Sequence, residues 1–121
     1  MSELILIIED QEDNRRIMRD LFTSAGYKVI EADTAEAGVM SAETHYPDLI
    51  LMDIQLPDFD GYEATRRIKA KPALSAIPII AVTSYALSGD DVKAYEAGCD
   101  AYVSKPFSPR ELLAKVREIL V

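Results

Sequence analysis

The chain has a single cysteine, Cys99, so it can build neither an internal disulfide nor a cysteine-based metal cage. That scarcity fits a reducing compartment, and Cys99 reads as a small packing residue rather than a reactive thiol. No apolar run approaches the roughly 20 residues needed to span a bilayer, and no basic-then-apolar leader opens the sequence. The expectation is a cytoplasmic protein without a membrane partner. Basic residues are in the minority, 13 Lys and Arg against 21 Asp and Glu, which leaves a formal net charge of -8. Nucleic acid and anionic membranes would both be repelled, so neither is an expected partner. There is no repeat, low-complexity tract or Gly/Ser linker. A glycine-rich phosphate loop is also missing: the first apolar run opens into EDQED, which repels a nucleotide or flavin phosphate that brings no metal.

What is present is enough for one compact domain, expected to occupy residues 1–121, with an apolar share of 49% to build its core. Short apolar runs alternate five times with segments of helical period, which argues for a parallel sheet with helices on both faces. The expected strands are Leu4 to Ile8, Lys28 to Ala32, Leu49 to Met52, Ile79 to Thr83 and Ala101 to Ser104. The first helix places Ile17, Met18, Leu21, Phe22 and Ala25 on one face and ends at Gly26. The next three should span about Thr34 to Thr44, Gly61 to Lys71 and Ser88 to Ala97, the last stopping at Gly98. Only Val92, Ala94, Tyr95 and Ala97 supply the apolar side of that fourth helix, so it should bury least and move most readily. In the fifth, Ser108 can cap, Pro109 suits the first position and Glu111 completes a capping box ahead of Leu112, Leu113, Val116, Ile119 and Leu120.

The chemistry lies where the apolar runs stop. They end at Glu9-Asp10, at Asp53, at Thr83 and at Lys105-Pro106. In a parallel sheet those carboxyl ends share one crevice, the place where open α/β sheets bind ligands. A carboxylate at a strand end, as Asp53 would be, is accessible and rigidly held, as a nucleophile forming an acyl phosphate must be. Standing alone it reads more readily as a turn-forming Asp; its neighbours change that reading. Glu9, Asp10 and Asp53 would repel one another unless a cation compensates, and a hard divalent ion with oxygen ligands, magnesium by preference, meets that requirement. Lys105 supplies a point charge for a phosphoryl oxygen, or for Asp53 in its absence. Thr83 can donate a hydroxyl hydrogen bond, although Thr also suits a strand for local reasons. Tyr102 has the spacing of a core residue, and His45 that of a solvated helix end.

These residues match a known pattern. With the acidic pair Glu9-Asp10, the segments PDLILMDIQLPDFDG (47–61), IPIIAVTSYA (77–86) and GCDAYVSKPF (98–107), the chain resembles the receiver domains of two-component response regulators along its whole length. The resemblance implies a flavodoxin-like (βα)5 fold with strand order 2-1-3-4-5 and a cis peptide between Lys105 and Pro106. It also implies Asp53 as phospho-acceptor, magnesium held by Asp10, Asp53 and the Gln55 backbone carbonyl, and Glu9 acting through water. Thr83 and Lys105 would contact the phosphoryl group, and Thr83 with Tyr102 would form the switch. Gln55 and Tyr85 occupy places that influence the lifetime of the phosphate. The implied partners are a histidine kinase or histidine phosphotransfer protein upstream and a regulatory protein downstream, with Arg15 and Arg16 beside the crevice able to guide the former. Such a receiver assists its own phosphorylation and slow autodephosphorylation and is not a turnover enzyme. The run MDIQLP is similar to that of a stand-alone, single-domain regulator, whereas Asn14-Arg15 is similar to receivers carried by hybrid kinases.

Two other readings compete. Haloacid-dehalogenase-like phosphatases and phosphotransferases also use a strand-end Asp, but they place a second Asp two residues on, where this chain has Gln55, and they carry a cap domain that 121 residues do not allow. A flavodoxin-like cofactor carrier requires a hydroxyl- or glycine-rich loop in place of EDQED.

Overall fold

The structure, a computed structural model, describes residues 2–83, 90–105 and 107–120. Five strands alternate with five helices: β1 (Leu4–Ile8), α1 (Glu12–Ser24), β2 (Lys28–Ala32), α2 (Ala35–His45), β3 (Leu49–Asp53), α3 (Gly61–Lys69), β4 (Ile79–Thr83), α4 (Asp90–Ala97), β5 (Ala101–Ser104) and α5 (Pro109–Ile119). All pairings are parallel, in the order β2-β1-β3-β4-β5. The expected flavodoxin-like order is therefore found.

Successive side chains of a strand point to opposite faces, and here both faces are covered, which is why the strands read as unbroken apolar runs. Leu6, Ile8, Ile50, Met52, Ile79 and Ala81 face one core with α2, α3 and α4. Ile5, Ile7, Leu49, Leu51, Ile80 and Val82 face the other, against Met18 and Phe22 of α1 and Leu112 and Val116 of α5. The sheet is thus the middle layer of three.

Several boundaries shift for local reasons. Strand β3 continues one residue past Met52, because Asp53 pairs in register with Val82 and the Ile54 N–H still donates to the Val82 carbonyl at 3.1 Å. Thr34 lies outside α2 as its cap, accepting from the Ala37 N–H at 3.0 Å, and the helix runs one residue past Thr44 to His45. Helix α3 ends at Lys69 rather than Lys71, since Pro72 biases the residue before it away from helical geometry. Ser108 does occupy the cap position of α5 with Pro109 following, but its side chain makes no capping hydrogen bond; it is exposed, where solvent serves the first N–H groups equally well. Ile17 also departs from expectation. It is 52% exposed, because the buried stripe of α1 is centred on Met18 and Phe22 and leaves Ile17 on its flank.

In α4 only Ala94 and Ala97 are buried among the described side chains, while Val92 and Tyr95 are exposed. That is a thinner apolar face than the four residues expected. The expected start of this helix at Ser88, the side chain of Tyr85 and the Lys105–Pro106 peptide bond lie outside the described residues.

Candidate functional site

The order of the strands dictates where the site forms. After β1 the chain turns to one side for β2, then returns across β1 to lay down β3, and the crevice opens where these directions diverge. Ile8 pairs with Met52, so Glu9, the next residue, emerges beside Asp53. On the other side of β3, Asp53 pairs with Val82 and Thr83 with Ser104, which brings Thr83 and then Lys105 to the same edge. Glu9, Asp10, Asp53, Thr83 and Lys105 all arrive at this one rim.

The carboxylates of Glu9, Asp10 and Asp53 converge, with one oxygen of each within 4.8 Å of the others. Glu9 is fully buried, and Asp53 and Thr83 are only 4% and 1% exposed. Lys105 enters from β5, its Nζ 2.7 Å from Glu9 Oε1 and 3.5 Å from Asp53 Oδ1. The ammonium therefore reaches Asp53 as expected, but its shorter contact is with Glu9. Backbone groups complete the cradle: the Gln55 N–H donates to Asp53 Oδ1 at 3.3 Å and the Gln11 N–H to Glu9 Oε2 at 3.2 Å.

This crowding has a protonic consequence. Burial, and then the hydrogen-bonded, charged Glu9, push the Asp53 carboxyl up to about 7 against the opposing pull of Lys105 and the Gln55 N–H. Burial also acts to raise Glu9, but its hydrogen bonds with Asp53 and Lys105 prevail and hold it below the ordinary carboxylate range. Asp10, half-buried, is raised by burial and by Glu9. Glu9 and Asp53 thus titrate as a coupled pair, with Lys105 offsetting part of their charge. A divalent cation would offset this crowding, and three converging carboxylate oxygens are the donor set a hard ion takes.

Two neighbouring residues have roles that the sequence reading did not give them. Arg15 lies beside the crevice, and its guanidinium donates to the carbonyls of Glu9 and Asp10 at 3.0 and 3.3 Å and to Glu31 Oε1 at 3.3 Å. Arg16 stays exposed, paired only with Asp13. Asp58, in the loop after β3, accepts from the N–H groups of Ala35 and Glu36 at 2.9 Å each, capping α2 from a distance. Burial disfavours the Asp58 charge, but those N–H groups outweigh it and hold the carboxyl below its ordinary value. The same loop closes through Gly61, whose N–H donates to the Ile54 carbonyl at 2.9 Å and where any side chain would collide with the Asp53 carbonyl oxygen. Tyr102 is half-buried and packs on the core shared by α2, α3 and α4. His45 is exposed at the end of α2, as expected.

The model of the response regulator receiver domain matches residues 5–117. The chain belongs to this family. The polar-differentiation response regulator DivK of Brucella ovis is 40% identical over 120 residues, which cover 99% of this chain and 98% of DivK. The resemblance of MDIQLP to a single-domain regulator finds its counterpart there. Among solved structures, the receiver domain of the sensor histidine kinase PA1611 of Pseudomonas aeruginosa is 38% identical with a TM-score of 0.91, over 99% of this chain and 98% of that one, and it has a magnesium ion coordinated in its active site cleft. A CheY-like receiver domain protein of Methanospirillum hungatei is 34% identical with a TM-score of 0.92, over 99% and 94% of the two chains. A receiver is a phospho-accepting switch and not a turnover enzyme, and the haloacid-dehalogenase alternative is not favoured. No helix among the described residues is long and apolar enough to cross a membrane.

Proposed function

We propose that residues 1–121 form one receiver unit that takes a phosphoryl group from a phosphohistidine onto Asp53 and, so modified, changes its protein partners. The donor is a histidine kinase or histidine phosphotransfer protein and the reader a downstream regulatory protein, all in the cytoplasm. The observation that carries this reading is the convergence of Glu9, Asp10, Asp53 and Lys105 at the carboxyl edge of the sheet of a receiver.

In the transfer, an oxygen of Asp53 attacks phosphorus as the bond from phosphorus to the donor imidazole nitrogen breaks, leaving an acyl phosphate and a neutral imidazole once protons re-equilibrate. Asp53 reacts as the carboxylate, so a proton held by its raised carboxyl must leave first. Magnesium, held by Asp10, Asp53 and the Gln55 carbonyl, with Glu9 through water, would supply the positive charge that stabilises the phosphoryl oxygens. Lys105 moves from its ion pair with Glu9 to a phosphoryl oxygen, and Thr83 donates its hydroxyl to another. Tyr102 then turns into the space that Thr83 leaves. Slow loss of the phosphate to water resets the switch.

The test is incubation with magnesium and acetyl phosphate followed by intact-mass measurement. One phosphoryl group should be gained by the parent protein and none by Asp53→Asn. Equal modification of both would move the acceptor elsewhere.

A further inference from the structure

The acidic turn that holds Glu9 and Asp10 is itself held. Its carboxylates point into the crevice against their mutual repulsion, while its carbonyls point the other way, to Arg15. One guanidinium nitrogen of Arg15 donates to both carbonyls, Glu9 at 3.0 Å and Asp10 at 3.3 Å, and the Nε of the same group donates to Glu31 Oε1 at 3.3 Å. Glu31 lies on β2 and is gripped a second time by Arg19 at 3.2 Å. The Arg15 side chain is only 19% exposed. The contacts therefore join three elements, α1, the β1–α1 turn and β2, through a planar fork whose geometry a lysine cannot reproduce.

We propose that Arg15 is a positioning residue of the metal site: by fixing the two carbonyls of the acidic turn, it keeps the Glu9 and Asp10 carboxylates converged on Asp53 in readiness for a divalent cation. The inference rests on the metal-binding reading of those three carboxylates. Arg15 contacts none of them and acts through the backbone that carries them. Without it, the like charges at Glu9, Asp10 and Asp53 relax apart, and the cation must reassemble its own ligands on binding. Partners of this outer kind contribute about 10- to 100-fold to metal affinity.

The sign of the effect separates positioning from simple charge. Arg15 is a cation near a cation site, so removing its charge should, by Coulomb's law alone, tighten magnesium binding. Positioning demands the reverse. Magnesium affinity would be measured by isothermal titration calorimetry on the parent, Arg15→Gln and Arg15→Lys, with circular dichroism confirming that each is folded at the temperature used. We expect the dissociation constant to rise about tenfold in Arg15→Gln and by a smaller factor in Arg15→Lys, which keeps the charge but can serve fewer of the three acceptors. A dissociation constant that is unchanged or lower in Arg15→Gln, with normal binding by the parent, overturns the inference alone. Failure of the parent itself to bind magnesium overturns the metal reading and this inference with it. Should Arg15→Gln prove unfolded, Arg15→Lys decides, an unchanged constant counting against positioning.

Discussion

Replacing Asp53 by Asn should make the metal-free protein more stable at neutral pH, although it removes the proposed acceptor. Asp53 is 4% exposed and pressed against Glu9, and its carboxyl is lifted from an ordinary value of 3.8 to about 7. A group whose folded pKa is raised contributes its stability in full below the unfolded value, and loses it as pH climbs through the folded one. Above pH 7 the folded parent must therefore carry an ionised Asp53 that the unfolded chain carries far more comfortably. At about 1.4 kcal/mol for each tenfold change in proton affinity, the displacement sets a ceiling of about 4 kcal/mol. Glu9 returns part of it, because its own pKa is lowered and its hydrogen bond to Asp53 is lost in the variant. Lys105 is not orphaned, since its 2.7 Å contact with Glu9 remains.

A gain of about 2 kcal/mol at pH 8 is the outcome we expect, equivalent to roughly 8 °C in melting temperature for a domain of this size. Urea unfolding in the presence of a chelator, at pH 8 and pH 4.5, reads it directly. The gain should be clearly smaller at pH 4.5, where most of the burden on the folded parent has been relieved by protonation. Magnesium should close the gap at pH 8 by stabilising only the parent. If Asp53→Asn proves no more stable than the parent at pH 8 without metal, the account of the crowded pair is wrong.

Magnesium should raise the melting temperature of the parent by preferential binding to the folded state, and Asp10→Ala should lose most of that response; an undiminished response would remove Asp10 from the ligand set. Asp58→Ala should cost about 1 kcal/mol, the usual value of an N-cap, read by urea unfolding, and an effect within experimental error would mean that the remote cap of α2 is energetically idle. Gly61→Ala forces a methyl group onto the Asp53 carbonyl and should cost about 2 kcal/mol through displacement of the loop; retention of parental stability would show that the loop yields freely. Thr83→Ala should still accept phosphate but lose much of the change in hydrogen exchange over α4 on addition of beryllofluoride, and equal responses in the two proteins would exclude Thr83 as the coupling residue.

The crevice could be read from sequence because its chemistry sits immediately after strands, and buried parallel strands announce themselves as apolar runs. Once Leu4 to Ile8 and Leu49 to Met52 are strands of one sheet, Glu9, Asp10 and Asp53 have little freedom to be anywhere else. The helices were legible where the apolar stripe is strong, as in Met18 and Phe22, and where a terminator acts through the backbone, as Gly26 does with its φ of 97°. Judgements that hinged on one side chain at an edge fared less well. Ile17 lies one position before Met18 and is exposed, and Ser108 has the right identity for a cap but sits where water competes.

The roles missed share a different property: each depends on a partner across the fold. Arg15 acts on Glu31, 16 positions away, and Asp58 on Ala35, 23 positions away. No periodicity or local motif encodes such a reach, and an arginine on a helix reads as a solvated face until the neighbouring strand is in place. Yet these two determine how rigidly the legible residues are held. Asp58 ties the loop that carries Gln55 to the start of α2, and Arg15 ties the turn that carries Glu9 and Asp10 to β2. The carboxylates at the centre repel one another, so the strands bring them to the rim but do not by themselves keep them converged. The opposing restraint has to come from outside the charged cluster, through backbone groups that do not alter its charge. Arg15 provides it at one flanking loop, bonding the carbonyls of the acidic turn and Glu31 on β2, and Asp58 at the other, accepting from the N–H groups that open α2; the partners on β2 and α2 lie far off in the chain, which is why the site's identity is written in local sequence while its rigidity is not.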